Sequence, residues 1–195
     1  MSFSSEIKEK ISKISNECDS CDMAQLVAIV RFAGRITKDS VILNTENKWV
    51  AECIKRLIYK CLGVKTQAKY TKNTRLYEIV IDDNTACQTL FDVLMLKGDE
   101  EESLFCLECC MGAYARGAFL GGGSIIDPHK SYHLEFDARY ESEALKLKKL
   151  LSNVMIESKI TSRKGHFIVY VKEYSAIADV LGLIGATNAA LDIYN

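Results

Sequence analysis

Two short apolar stretches, residues 23–33 and 104–120, each run into glycine: Gly34 after the first, Gly121-Gly122-Gly123 after the second. Gly34 and Gly123 are 89 positions apart, and the segments after them repeat as well. The first copy reads as a helix (23–33), a hairpin (35–45), an amphipathic helix (47–62), two strands (64–70 and 75–81) and a helix (85–96). The second reads as a helix (104–120), a longer hairpin (124–137), an amphipathic helix (140–154), two strands (156–162 and 166–172) and helices over 174–184 and 186–194. Ala51 and Ala144 differ by 93 and Val80 and Tyr170 by 90, so the longer second hairpin absorbs the slack. A chain that reads αββαββα twice is expected to fold as two α+β halves about a pseudo-twofold axis, each with an antiparallel sheet covered by helices on one face. Two copies are too few for a solenoid or propeller. The expected organisation is an N-terminal helix and linker over 1–22, capped at Ser4, a first repeat over 23–98 and a second over 103–195. The glycine and four acids of 98–102 mark the boundary.

The repeated apolar helices carry small residues at helical spacing: Ala24 and Ala28 in the first, Ala113, Gly117 and Gly121 in the second. Small side chains four apart let two helical backbones approach closely. Alanine alone is explained by helix propensity, but two glycines at i and i+4 cost about 1 kcal/mol each without a packing reason. These five positions are therefore expected to form a helix seam along the pseudo-dyad.

Composition narrows the function classes. Lys plus Arg is 25 against 26 Asp plus Glu, so net charge gives no argument for nucleic acid and only its distribution can. No apolar run approaches the roughly 18 residues of a membrane span, and the charged start lacks the apolar core of a secretory signal. Eight cysteines then read as cytosolic thiols rather than disulfides. Two CxxC pairs occur, Cys18/Cys21 and Cys106/Cys109, the second followed by Cys110. A four-thiolate zinc site is the sharp reading. Packing at helix starts is the plainer one and the one expected, because 85 residues separate Cys21 from Cys106; no metal and no cofactor are expected. His129 and His133 near Asp127 lack further ligands close in sequence. The glycine triplet comes after a helix, the reverse of a phosphate-binding strand–loop–helix.

The segments Leu26-Val-Ala-Ile-Val-Arg-Phe-Ala-Gly34 and Ala115-Arg-Gly-Ala-Phe-Leu-Gly-Gly-Gly123 resemble degenerate LAGLIDADG motifs. The stretch from Arg116 to Glu135, with the opening Ser2-Phe-Ser-Ser-Glu6 and the ending Leu183-Ile-Gly-Ala-Thr-Asn-Ala-Ala190, resembles the WhiA family along essentially the whole chain. The resemblance implies a homing-endonuclease-like fold and a bacterial regulator of sporulation and cell division. In active endonucleases of this fold the acid before the final glycine of each motif holds the divalent metal. Those positions here are Ala33 and Gly122, so no catalytic residue is expected. Family members carry a C-terminal helix-turn-helix domain, and this chain, ending at Asn195, is expected to lack it.

In this fold the sheets face DNA, and the strands here are rich in bases. Strand alternation puts Lys65, Gln67 and Lys69 on one face. The expected contacts to double-stranded DNA are Lys65, Lys69, Lys72, Arg75, Lys159, Arg163, Lys164, His166 and Lys172; the spans 65–75 and 159–172 hold no acid, and acids concentrate in helices and at 99–102. The alternative for these charges is a solvated sheet edge protected from aggregation. The leading expectation is a catalytically inactive domain of a DNA-binding transcriptional regulator, cytoplasmic and nucleoid-associated, monomeric with internal pseudo-symmetry. RNA polymerase or other transcription factors are further partners that the resemblance allows. A protein-interaction or ligand-sensing module and a nuclease using other acids are the competing readings.

Overall fold

The computed structural model describes residues 2–16, 18–96, 108–127 and 130–193. The boundary segment 98–102, Cys106 and the turn residues Pro128 and His129 lie outside these. Helix α1 (Phe3–Ser12) precedes the first unit: α2 (Asp19–Ala33), β1 (Gly34–Ile36), β2 (Val41–Thr45), α3 (Lys48–Leu62), β3 (Ala68–Thr71), β4 (Leu76–Ile81) and α4 (Asn84–Met95). The second unit is α5 (Glu108–Gly122), β5 (Gly123–Ile125), β6 (Leu134–Ala138), α6 (Glu141–Asn153), β7 (Lys159–Arg163), β8 (His166–Val171), α7 (Tyr174–Leu183) and α8 (Thr187–Asp192). Both sheets are antiparallel with the same order, β1-β2-β4-β3 and β5-β6-β8-β7. The αββαββα order thus occurs twice, as the repeat requires.

Local chemistry sets the ends of these elements. The Asn47 side chain accepts from the N–H groups of Trp49 and Val50 and starts α3, and Gly63 ends it at φ +71. Ser2 rather than Ser4 caps α1, accepting from the Ser5 N–H, so the helix begins earlier than its acid pattern suggests. Strand β3 is shorter than its alternation predicts and starts at Ala68, leaving Lys65 and Gln67 before it. Helix α5 continues through Gly121 and Gly122, because packing along the seam outweighs the helix-breaking tendency of glycine.

The five consecutive residues Leu26 to Val30 of α2 are all buried. A helix apolar all round has to sit inside, and α2 does so by lying along α5. The two run in the same direction: Cys21 faces Cys110 near their starts, Ala28 faces Gly117, and Phe32 faces Gly121 near their ends. A Cβ at Gly117 would fall 2.3 Å from the Gln25 carbonyl oxygen and 2.8 Å from the Ala28 Cβ, so only glycine lets the backbones come this close. Ala24 and Ala113 are likewise buried. The seam also corrects the expectation that the cysteine pairs lie too far apart. It sets the first turns of α2 and α5 together, with the Cys21 Sγ 3.6 Å from the Cys110 Sγ. Around this axis one continuous core collects the inner faces of both sheets, including Leu43, Ile79, Phe136 and Val169.

Candidate nucleic-acid interface

Cross-strand register decides which side chains share the face turned away from the core. In the second sheet Lys159 pairs with Tyr170, Tyr170 with Glu135 and Glu135 with Ser124, so these four point to one side. By alternation Thr161, Arg163, His166, Ile168 and Asp137 join them, and Lys172, just past the end of β8, sets its Nζ 5.3 Å from the ring centre of Tyr170 on the same face. Ile168 is buried yet stands apart from the main core, consistent with its place on this outer face. In the first sheet the chain of pairs Lys69–Glu78–Asn44 and Val80–Ile42–Arg35 defines the corresponding face.

All nine basic residues singled out in the sequence are exposed, but they divide into three groups. Lys69, Lys159, Arg163, His166 and Lys172 lie on the outer sheet faces. Lys72, Arg75 and Lys164 occupy the tips of the β3–β4 and β7–β8 hairpins. The second tip is a two-residue turn in which Lys164 (φ 53) and Gly165 (φ 82) both adopt the left-handed conformation that matches strand twist. Lys65 departs from the group. It precedes β3, and its Nζ lies 5.9 Å from the ring centre of Tyr59 on α3, toward the helix layer.

The outer face is mixed rather than uniformly basic, which corrects the expectation of basic strands set against acids concentrated in the helices. The Glu135 carboxylate accepts from Arg163 Nη2 at 2.8 Å and meets His133 Nε2 at 3.0 Å. The His166 Nδ1 lies 2.6 Å from the Asp137 carboxylate. Burial of Glu135 disfavours its charge, but the hydrogen bonds from Arg163 and His133 outweigh it and hold the carboxyl below its ordinary range. The bond to Glu135 in turn raises Arg163. Glu78 stands opposite Lys69. Alternation along β7 and β8 misses these acids, because Glu135 and Asp137 come from β6, a neighbour that only long-range pairing supplies. Among the described residues no carboxylate forms an ion pair with Lys72, Arg75, Lys159 or Lys164.

Ala33 and Gly122 are the last residues of α2 and α5, side by side at the far end of the seam. Neither offers a side-chain ligand atom. At Gly122 there is also no room for one, because a Cβ would fall 2.4 Å from the Asp137 carbonyl oxygen.

Comparison with known proteins agrees with this architecture. The family model of the WhiA LAGLIDADG-like domain matches residues 111–195. The probable cell division protein WhiA of Alkaliphilus metalliredigens is 33% identical over 215 aligned positions, which cover 100% of this chain and 68% of that protein. Among solved structures, the N-terminal LAGLIDADG domain of DUF199/WhiA superposes with a TM-score of 0.79 at 20% identity, covering 94% of this chain and 92% of that one. The homing endonuclease I-DmoI in complex with DNA and Mn superposes with a TM-score of 0.63 at 14% identity, covering 86% and 98%. The duplicated unit, the glycine-lined seam and similarity along the whole of this chain to two thirds of a curated relative converge: this chain belongs to the WhiA family.

Proposed function

We propose that the chain is a catalytically inactive LAGLIDADG-like domain of a WhiA-type DNA-binding regulator in the bacterial cytoplasm, where it meets the nucleoid. The observation that carries the DNA reading is the placement of base-rich hairpin tips at equivalent positions of the two halves: Lys72 and Arg75 on one, Lys164 on the other. Lys159 adds a further exposed cation on the outer sheet face, at the end of β7 away from that tip. Charges at pseudo-symmetric positions suit the phosphates of a duplex, whose own strands are related by a dyad. I-DmoI, a homing endonuclease of this fold, was crystallised in complex with DNA and Mn, which supports DNA as the class of partner. The absence of an acid at Ala33 and the closed space at Gly122 support loss of phosphodiester cleavage through the seam.

The test is duplex binding by fluorescence anisotropy across a salt series. Substituting Lys159 and Lys164 by Ala should weaken binding to all sequences and flatten the slope of log K against log salt by about 0.9 for each phosphate no longer neutralised. An unchanged slope would refute the assignment. Metal-dependent nicking of supercoiled plasmid that co-purifies with the protein would refute inactivity. A protein-interaction module is the second reading, and one observation favours it: Glu135 and Asp137 engage Arg163 and His166 on the face itself. Absence of duplex binding at low salt would select it.

A further inference from the structure

The seam has a second end, opposite Ala33 and Gly122, where the first turns of α2 and α5 meet. Four thiols converge there. Cys18 is the N-cap of α2, its Sγ accepting from the Cys21 N–H at 3.4 Å. Cys21 lies within the first turn of that helix and Cys109 and Cys110 near the start of the other. The Sγ of Cys18 is 3.0 Å from that of Cys21, which is 3.6 Å from that of Cys110, and all four sulfurs lie within 4.8 Å of one another. Among the described residues this is the one grouping of three or more side chains able to hold a metal.

We propose that Cys18, Cys21, Cys109 and Cys110 form a structural zinc site that clamps the starts of α2 and α5.

Three features support a cation rather than a patch of small apolar side chains. Zn–S bonds of about 2.3 Å in a tetrahedron place sulfurs about 3.8 Å apart, so these thiols need only small side-chain rotations to surround one ion. Both helix starts present backbone N–H groups and the positive dipole end, which favour thiolates. The site is also reachable, since Cys109 is exposed and Cys18 partly so. Binding exchanges the four thiol protons, released to solvent, for one Zn²⁺, with no change of oxidation state. Four protein sulfurs leave no open position, which makes the site structural rather than catalytic.

The ligand set obeys the pseudo-symmetry only in part. Cys21 and Cys110 are 89 residues apart, the spacing of the repeat, and so face each other across the axis. Cys18 and Cys109 have no cysteine at their repeat positions, which are Leu107 and Ser20.

Metal analysis of the reduced chain from zinc-supplemented growth tests the site. The expected result is about one zinc per chain, released when a mercurial blocks the thiols. Cobalt(II) exchanged into the protein should give thiolate-to-metal charge transfer and the intense visible bands of a tetrahedral thiolate centre. Cys21→Ser and Cys110→Ser should lose the ion, while Cys61→Ser and Cys106→Ser keep it. The cobalt spectrum of the unsubstituted protein decides the matter even if a serine variant fails to fold. Zinc far below one per chain with no cobalt spectrum, a Cys18–Cys21 disulfide in its place, or a metal kept by Cys110→Ser and lost by Cys106→Ser would each overturn the assignment.

Discussion

Gly117 and Gly182 allow one substitution to be tested in two surroundings. Gly117→Ala adds a Cβ 2.3 Å from the Gln25 carbonyl oxygen and 2.8 Å from the Ala28 Cβ. An ordinary C···O contact begins at about 3.3 Å, so α2 and α5 would have to separate by about 1 Å. The obstructing atom is backbone held in a buried helix, and no side-chain rotation relieves it. Overpacking costs about 1–3 kcal/mol and occasionally more, the upper end applying here because the obstacle is backbone; the gain of about 1 kcal/mol for glycine to alanine in a helix is subtracted. The net loss is about 1–3 kcal/mol, or a fall in Tm of about 3–10 °C for a chain of this size. Gly182, in α7, has nothing within 4 Å of its added Cβ and an ordinary backbone conformation. There the same change should stabilise by about 0.5–1 kcal/mol. Urea denaturation of both variants, read as the midpoint at constant m, separates the two signs. A Gly117→Ala protein as stable as the parent would refute the close-packed seam.

Single sites elsewhere give further expected outcomes. Lys8 of α1 shares a hollow with Asn44, Glu46, Leu120 and Gly121, and burial lowers its ammonium to about 8. The folded state therefore disfavours the charge that the unfolded chain carries up to its ordinary value of 10.5. The penalty is complete below pH 8 and fades toward 10.5, so Lys8→Met should stabilise most at neutral pH, by about 1–3 kcal/mol, with the advantage shrinking through that window in pH-dependent urea melts. Gly165→Ala puts a side chain at φ +82 in the β7–β8 turn and should cost about 1 kcal/mol without altering the far-ultraviolet circular dichroism of the folded state. Glu135→Gln removes the negative charge and one of the two carboxylate oxygens that Arg163 and His133 engage. In the proposed DNA-binding reading it should strengthen duplex affinity at low salt; unchanged affinity in anisotropy titrations would place this patch outside the protein–DNA contact.

The duplication is legible because glycine and alanine at fixed offsets report backbone proximity, and nothing but a close partner compensates two glycines in one helix. The repeat also accounts for the two sheets sharing one strand order, although the order itself is seen only in the structure. Chain order hides everything decided by non-neighbouring strands and helices. Glu135 lies 28 residues before Arg163, and only the pairing of β6 with β8 brings the acid into the same patch. Lys65 reads as a strand residue by alternation, but the strand begins three residues later and its side chain turns toward Tyr59. The cysteines show the same limit more sharply. Spacing rules for metal sites assume ligands on one short segment, whereas here two helix starts supply them across an internal dyad.

The contact between Gly122 and the Asp137 carbonyl carries a lesson about descent. A lost carboxylate can usually be regained by one codon change while the surrounding space is kept. Here the β6 main chain occupies the space such a side chain needs, so an aspartate reintroduced at Gly122 would collide with backbone before reaching any cation. In the proposed regulatory reading, the change behaves as a ratchet: a return to cleavage would require the β6 backbone to retreat first, and no single replacement provides that.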